Sequence, residues 1–241
     1  MWLEVQKKKI PALKNPTLVV AVSTSLPQYK ALYSQAKEMG EYMLKKIKFD
    51  EIATVYSSAF PPEVIVRDQG ISSLPACHFY LADGKSNLLL FAGDASPMDD
   101  QYEFAHMILS YARDLGVSEL YSVGARWAET PLSPEVDPEP SGFATDKKGV
   151  ERLKEHGVKV LSEEPAPFFA SIIVAMAQSY GIRGYKISVD HGEPSPHVRS
   201  VAKLLMVLSK LTGFETPLDE LKTKAGPSSP PKRQGESDIY K

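Results

Sequence analysis

Charged and hydroxyl side chains follow several predicted strands of this chain, at positions where a sheet would bring them together. In open α/β sheets, ligands bind beyond the carboxyl ends of the strands, so side chains there can form a crevice. A guanidinium, carboxylates, an imidazole and a hydroxyl in one crevice could bind a small polar ligand or transfer protons. The candidate crevice residues are Ser25, Asp94, Arg126, Glu129, Asp190 and His191.

A purely structural interpretation of these residues is simpler. Asp94 would cap a turn after a glycine, Arg126 would form an ion pair with an acid, and Asp190 and His191 would make a turn. The chain contains no G-x-G-x-x-G, G-x-x-x-x-G-K-[ST], G-x-S-x-G or H-E-x-x-H motif, so it lacks these signatures of nucleotide binding and hydrolysis. We therefore predict no catalytic residue and no cofactor, and retain ligand binding as the alternative.

Cysteine and histidine give no sign of a reactive or metal-binding site. Cys77 and His78 are adjacent in a predicted strand and would point to opposite faces, which is poor geometry for a dyad. The five histidines show no metal-ligand spacing, so no metal site is predicted. The single cysteine excludes an intrachain disulfide, which is typical of a cytosolic protein.

Composition narrows the class of partner. The 241 residues include 28 Lys and Arg against 30 Asp and Glu, and 43% are hydrophobic. Near-zero net charge argues against nucleic acid as a main partner, and no apolar run approaches the ~18 residues of a membrane span. The first nine residues lack the apolar segment of a signal peptide. We expect a cytoplasmic protein with one sizeable α/β core.

The elements that would position the crevice residues alternate between strand and helix. Short apolar runs predict strands, and apolar residues at helical spacing predict helices. Such alternation implies a mostly parallel sheet with helices on both faces. The predicted strands cover 18–22, 52–56, 64–66, 77–81, 87–94, 119–124, 158–161 and 185–189, those between 50 and 87 forming a hairpin or meander.

Capping residues indicate where the helices begin and end. Ser96-Pro97 predicts the start of a helix that ends at Gly116, with Ser96 as N-cap. A further helix covers 146–156 and stops at Gly157, because glycine suits the left-handed position after a helix. The other predicted helices are 29–47, 167–180 and a last one that Ser195-Pro196 opens and Gly213 ends.

The C-terminal segment differs from the rest in composition. Four of the 19 prolines, Pro217, Pro227, Pro230 and Pro231, fall in the last 25 residues. From residue 223 the sequence is rich in Pro, Ser and Gly and cannot bury enough apolar surface to order itself. We predict an α/β domain over 1–222 and a flexible tail over 223–241.

The tail ends in an aliphatic and an aromatic side chain. Ile239 could fill an apolar notch, Tyr240 could bury its ring, and the carboxylate of Lys241 could pair with a lysine. The ~16 residues before them give an r.m.s. reach of about 22 Å. We therefore interpret Ile239-Tyr240-Lys241 as a tethered docking motif.

Several segments resemble the PAC2 family, relatives of the proteasome assembly chaperones. They are LLLFAGD at 88–94, VGARWAETP at 123–131, GFATD at 142–146, PAPFFASIIVAM at 165–176 and GEPSPH at 192–197. The similarity covers roughly residues 15 to 213 and rests on the order and spacing of loose motifs. The chain departs from the family after the first strand, where a Gly-rich turn is common, and at Gly124-Ala125, where two glycines are common.

The resemblance implies a nucleoside-phosphorylase-like core without established catalysis, self-association into homo-oligomers, and proteasome binding by some archaeal members. Ile239-Tyr240-Lys241 matches the hydrophobic-Tyr-X motif that inserts between α-subunits of the proteasome core. The leading hypothesis is therefore a homo-oligomeric assembly chaperone or core-particle cap that docks on the α-ring. The alternative is an enzyme or binding protein for a nucleoside or phosphate compound, using the strand-end crevice.

Overall fold

Strands and helices alternate along most of the chain. A computed structural model describes residues 2–8, 10, 12–22, 34–83, 87–127, 137–191 and 197–225. The strands are β1 (Leu3–Lys7), β2 (Thr17–Ala21), β3 (Phe49–Ser57), β4 (Ile65–Val66), β5 (Ser72–Ser73), β6 (Cys77–Ala82), β7 (Leu88–Gly93), β8 (Glu119–Trp127), β9 (Pro140–Ala144), β10 (Lys159–Val160) and β11 (Arg183–His191). The helices are α1 (Gln35–Lys46), α2 (Gln101–Asp114), α3 (Lys147–Glu155), α4 (Phe169–Ala177), α5 (Val198–Thr212) and α6 (Asp219–Ala225).

Nine of the described strands form one sheet in the order β1-β3-β6-β7-β2-β8-β11-β9-β10. At its centre β2 pairs in parallel with β7 and β8, and β8 pairs in parallel with β11. On one side β1, β3, β6 and β7 pair antiparallel, and on the other β9 runs antiparallel to β11. The α/β class is confirmed, and the sheet is mixed because strands of the predicted meander follow one another without a crossover helix.

Helices cover both faces of the sheet. Helices α2 and α4 bury apolar side chains such as Phe104 and Ile173 in one core cluster. Helices α1, α3, α5 and α6 contribute Met39, Leu153 and Leu204, among others, to a second cluster on the opposite face. Because the central strands are buried on both faces, they are continuously apolar in sequence, and this made them predictable.

The predicted start of α2 was wrong. The helix begins at Gln101, and its N-cap is Asp100 in a left-handed conformation with φ of 46°. Ser96 is instead buried in the segment before the helix. The amide of Met98 donates to the carbonyl of Ala59 over 2.8 Å, so tertiary contacts hold this segment away from helical geometry.

Other boundaries follow the capping chemistry. The Asp146 side chain accepts a hydrogen bond from the Gly149 amide over 2.6 Å, as expected of an N-cap before α3. Gly116 and Gly157 have φ of 79° and 76°, the left-handed conformation predicted after α2 and α3. Four elements were not predicted: β1, β5, β9 and α6. Helix α6 crosses the predicted domain boundary at 222/223, and the separate tail stays a prediction.

Candidate functional site

A cavity of about 350 Å³ lies over β8 and β11, on the face that α4 covers. Parallel strands β8 and β11 form its floor, and the segment leading into α4 forms its wall. Both strands end at the same edge of the sheet because they run in the same direction. The described residues that line it are Val22, Ala36, Val123, Gly124, Ala125, Arg126, Phe143, Leu161, Glu164, Pro165, Ala166, Pro167, Phe168, Ala170, Ser171, Lys186 and Ser188.

Lys186 is the polar centre of this cavity. Its neighbours in β11, Tyr185 and Ile187, belong to the apolar cluster on the opposite face, so strand alternation points Lys186 to the cavity side. Lys186 is only 6% exposed, and no hydrogen bond or ion pair joins it to another residue in the part of the chain that the structure describes. Burial lowers the pKa of Lys186 to about 7.

Gly124 makes room for the lysine. It lies opposite Ser188 in the parallel register of β8 and β11. A Cβ atom at Gly124 would lie 2.7 Å from Lys186 Nζ, closer than such atoms normally approach. The glycine therefore lets an extended lysine side chain lie across the strand.

The rim of the cavity carries an ion pair. Arg126 Nη2 lies 3.3 Å from Glu164 Oε2, and the two side chains are 34% and 38% exposed. An ion pair this accessible to water stabilises the fold weakly, because solvent screens it. Arg126 was predicted both as a crevice residue and as the partner of an acid, and it occupies both positions.

The N-terminus of α4 also borders the cavity. Phe168 is the N-cap residue and provides no side-chain hydrogen bond to the first turn, while Ala170 and Ser171 line the cavity. The first amides of a helix lack intrahelical acceptors and carry partial positive charge. The Ser171 amide donates to the Phe168 carbonyl over 2.9 Å, so the donors that this terminus presents are the amides of Phe169 and Ala170.

The remaining predicted crevice residues lie elsewhere or lack a described side chain. Asp94 follows β7 and accepts a hydrogen bond from Arg67 Nη2 over 2.8 Å, and it is not among the described residues that line the cavity. Asp190 and His191 lie in β11, in backbone register with Arg126 and Trp127, and their side chains are not described. Predictions that fall outside the described residues are Ser25, Glu129, Ile239, Tyr240 and Lys241.

Sequence reasoning missed Lys186 and the N-terminus of α4. The sequence contained a signal for Lys186. This lysine interrupts the predicted strand 185–189, in a sheet that is predicted to have helices on both faces. A charged residue in such a strand is rarely buried without a partner. The α4 terminus offered no signal, because it has no capping side chain.

A buried pair holds α1 against the start of α5. Glu38 Oε2 accepts a hydrogen bond from the His197 amide over 2.7 Å, and Glu38 Oε1 lies 2.8 Å from His197 Nδ1 and from Ser34 Oγ. Burial would raise the pKa of Glu38, and these hydrogen bonds outweigh it and lower the pKa to about 2. The pair fixes α1, which contributes Ala36 to the cavity wall.

The cysteine is placed as a structural residue. Cys77 is fully buried, its thiol donates to the Ala95 carbonyl over 3.1 Å, and burial raises its pKa. His78 faces the other side of β6, where its Nδ1 lies 3.2 Å from Glu51 Oε2. Among the described residues, no group of His, Cys, Asp or Glu is arranged to hold a metal ion.

A second polar cluster lies at the opposite ends of the same two strands. Glu119, the first residue of β8, accepts hydrogen bonds from Arg152 over 2.8 Å and from the Tyr121 hydroxyl over 2.9 Å. Arg183, the first residue of β11, donates to Asp146 over 2.7 Å and lies 3.7 Å from Glu119. The charged groups in this cluster have partners in the cluster itself.

Fold and cavity together define an α/β protein with a mixed sheet and a largely apolar cavity that contains a buried lysine. The model of the PAC2 family matches residues 36–226, so this chain belongs to the PAC2 family, as the sequence motifs predicted. An uncharacterised protein of Methanocaldococcus jannaschii is 23% identical over 191 residues, which cover 77% of this chain and 72% of that protein.

Solved structures share the fold. Pyrococcus furiosus PbaB, described as an archaeal proteasome activator, aligns with a TM-score of 0.78 and 18% identity over 92% of this chain and 94% of its own. P. furiosus PbaA, described as an archaeal homolog of proteasome-assembly chaperone, has a TM-score of 0.72 and 19% identity over 92% and 91%. A Mycobacterium tuberculosis proteasome-assembly chaperone homologue has a TM-score of 0.71 and 17% identity over 87% and 90%.

Within the described part of the chain, none of the helices has both the length and the apolar character needed to cross a bilayer.

Proposed function

We propose that this protein is a cytoplasmic, non-enzymatic, homo-oligomeric factor that binds the α-ring of the proteasome. It would act as an assembly chaperone or as a cap on the core particle. The observation that carries the proposal is the sequence Ile239-Tyr240-Lys241 after a Pro-rich segment in a PAC2-family chain. The likeness to a structure described as an archaeal proteasome activator supports the same direction.

The proposed contact assigns a role to each of the three residues. Ile239 fills an apolar notch between α-subunits, Tyr240 buries its ring while its hydroxyl finds a hydrogen-bond partner, and the carboxylate of Lys241 pairs with a lysine. A three-residue anchor binds weakly alone. Several tails on one oligomer raise the effective concentration of each remaining tail, so binding depends on self-association of the core.

The described surface supports self-association. Of the eight large hydrophobic side chains that are exposed in the described residues, four lie within residues 64–74 and a fifth, Trp2, borders a groove with two of them; the five are Trp2, Val64, Val66, Ile71 and Leu74. Trp2, Val64 and Leu74 border one groove, and Val66 and Ile71 belong to the β4–β5 hairpin region. Concentrated exposed apolar side chains of this kind are typical of protein contacts.

Removal of the three residues tests the docking. Deletion of residues 239–241, or Tyr240→Ala, is expected to abolish capture of purified proteasome α-rings while the oligomer mass by light scattering is unchanged. Ser237→Ala in the same tail is the matched control and should bind as the wild type does. Binding of the deletion variant at wild-type strength would contradict the docking role.

A further inference from the structure

We propose that the cavity over β8 and β11 binds a small molecule that carries an oxyanion, either a carboxylate or a phosphate group. Lys186 is the main contact, Arg126 is a second cation at the rim, and the first turn of α4 supplies amide donors. This site is distinct from the proposed tail contact and does not depend on it.

The lysine carries the inference. Its side chain is 6% exposed and lines the cavity, and within the described chain it has neither a hydrogen bond nor an ion pair. A protonated amine in such surroundings has lost its hydration without gaining a partner, which is unfavourable. An anion that enters the cavity supplies that partner, so binding is favoured because the anion neutralises the charge of the Lys186 amine.

The α4 terminus is a second, independent source of attraction for an anion. Helix α4 has nine residues, its N-cap side chain makes no capping hydrogen bond, and Ala170 and Ser171 line the cavity. Helix N-termini bind anions through free amides and the helix dipole. Arg126 adds a charge at the rim, where its side chain is about a third exposed.

The rest of the lining selects for an organic molecule. Much of the wall is apolar, with Val123, Phe143, Leu161 and Pro165 among its members. A volume of about 350 Å³ falls in the range of small-molecule sites, roughly 300–1,000 Å³. The cavity thus suits a ligand with an oxyanion head and a small apolar body.

Calorimetric titration of the full chain tests the proposal. Inorganic phosphate and benzoate are the two probes, titrated at constant ionic strength. Whichever probe binds, Lys186→Met should weaken its binding by about tenfold or more, as expected for loss of a hydrogen bond to a charged group. Lys159→Met, which removes an exposed strand lysine, is the matched control and should bind as the wild type does.

A second variant keeps the charge and moves it. Gly124→Ala places a Cβ atom 2.7 Å from the present position of Lys186 Nζ, so the flexible end of the lysine must shift. The fold tolerates this because only the amine has to move. The variant should also weaken binding, since the amine no longer lies where the oxyanion is held.

Each possible outcome of the titrations supports or overturns the proposed site. Binding of phosphate alone, of benzoate alone or of both by the wild type, lost in Lys186→Met and in Gly124→Ala, supports the site and identifies the class of oxyanion. No binding of either probe by the wild type overturns it. Undiminished binding by either variant also overturns it, because the anion then lies elsewhere.

Discussion

The two ends of strands β8 and β11 treat charged side chains in opposite ways. At their first residues, Glu119 and Arg183 lie in a network in which Arg152 and Asp146 complete the pairing. Farther along β11, Lys186 is buried with no such partner in the described residues. The same pair of strands therefore carries one satisfied and one unsatisfied polar site.

The difference separates structural charges from functional ones. Removal of one member from a mutually paired cluster leaves its partners without their hydrogen bonds, so such a cluster stabilises the fold as a unit. A buried charge without a partner destabilises the fold, and it is retained only where something else benefits from it. By this criterion the Glu119 cluster is structural and the Lys186 cavity is a binding site.

The largest expected effect comes from breaking the satisfied end. Glu119→Ala removes the acceptor of Arg152 and of the Tyr121 hydroxyl, and should lower the free energy of unfolding by about 3 kcal/mol through the loss of these two hydrogen bonds to a carboxylate. Denaturant unfolding measures the change. Glu151→Ala, an exposed acid on α3, is the control and should change stability by less than about 0.5 kcal/mol. Equal losses in the two variants would contradict a structural role for the cluster.

A smaller effect of opposite sign is expected at the unsatisfied end. Lys186→Met replaces an unpartnered cation by an apolar side chain of similar length and should raise the free energy of unfolding at pH 7 by about 2 kcal/mol. The gain should shrink toward pH 10. Between pH 7 and 10.5 the unfolded chain holds a proton that folded Lys186 has released, so wild-type stability rises with pH.

Unfolding at pH 7 and pH 9 measures this convergence. Groups that titrate in both proteins cancel in the difference, which leaves the contribution of Lys186. The exposed-lysine variant Lys159→Met should run parallel to the wild type at both pH values. A Lys186→Met protein that is less stable than the wild type at pH 7 would show that the amine is partnered in solution.

The smallest effect is expected at the cavity rim. Glu164→Gln removes the ion pair with Arg126, whose two side chains are both more than a third exposed, and should change stability by less than about 0.5 kcal/mol. The same denaturant experiment is the measurement. A loss of 2 kcal/mol or more would place the rim with the structural charges and blur the distinction between the two ends.

The sequence was informative where one local rule decides the structure. The central strands are apolar on both faces, and Asp146 and Gly157 delimit α3 through capping alone. The rules failed where a distant contact overrides them. Ser96-Pro97 has the chemistry of a helix start, yet Met98 is held by Ala59 and the helix begins at Gln101.

Strands β1 and β9 were harder to foresee. Strand β1 ends in Lys7, whose Nζ lies 4.5 Å from the centre of the Tyr111 ring, and nothing in its own sequence indicates this partner. Strand β9 begins at Pro140 and follows a Pro-rich stretch that favours a loop. β1 forms by pairing with β3 at one edge of the sheet, and β9 forms by pairing with β11 on one side and β10 on the other.

The site was predictable in place and only partly in content. The alternation of strands and helices predicts a crevice beyond the carboxyl ends of the strands, and Arg126, one of its predicted residues, lines the cavity over β8 and β11. Asp94 does not line it: it follows β7, which β2 separates from β8, and its carboxylate pairs with Arg67. Lys186 was missed because charge in a strand is usually taken to face solvent.

Gly124 and Lys186 also constrain each other over evolutionary time. A side chain at position 124 would occupy the space beside the amine, and a shorter residue at 186 would leave the glycine without a reason to persist. The two positions are distant in sequence and lie on adjoining strands. Among relatives that keep this cavity, glycine and lysine should be inherited as a pair, and lineages that lost one should have relaxed the other.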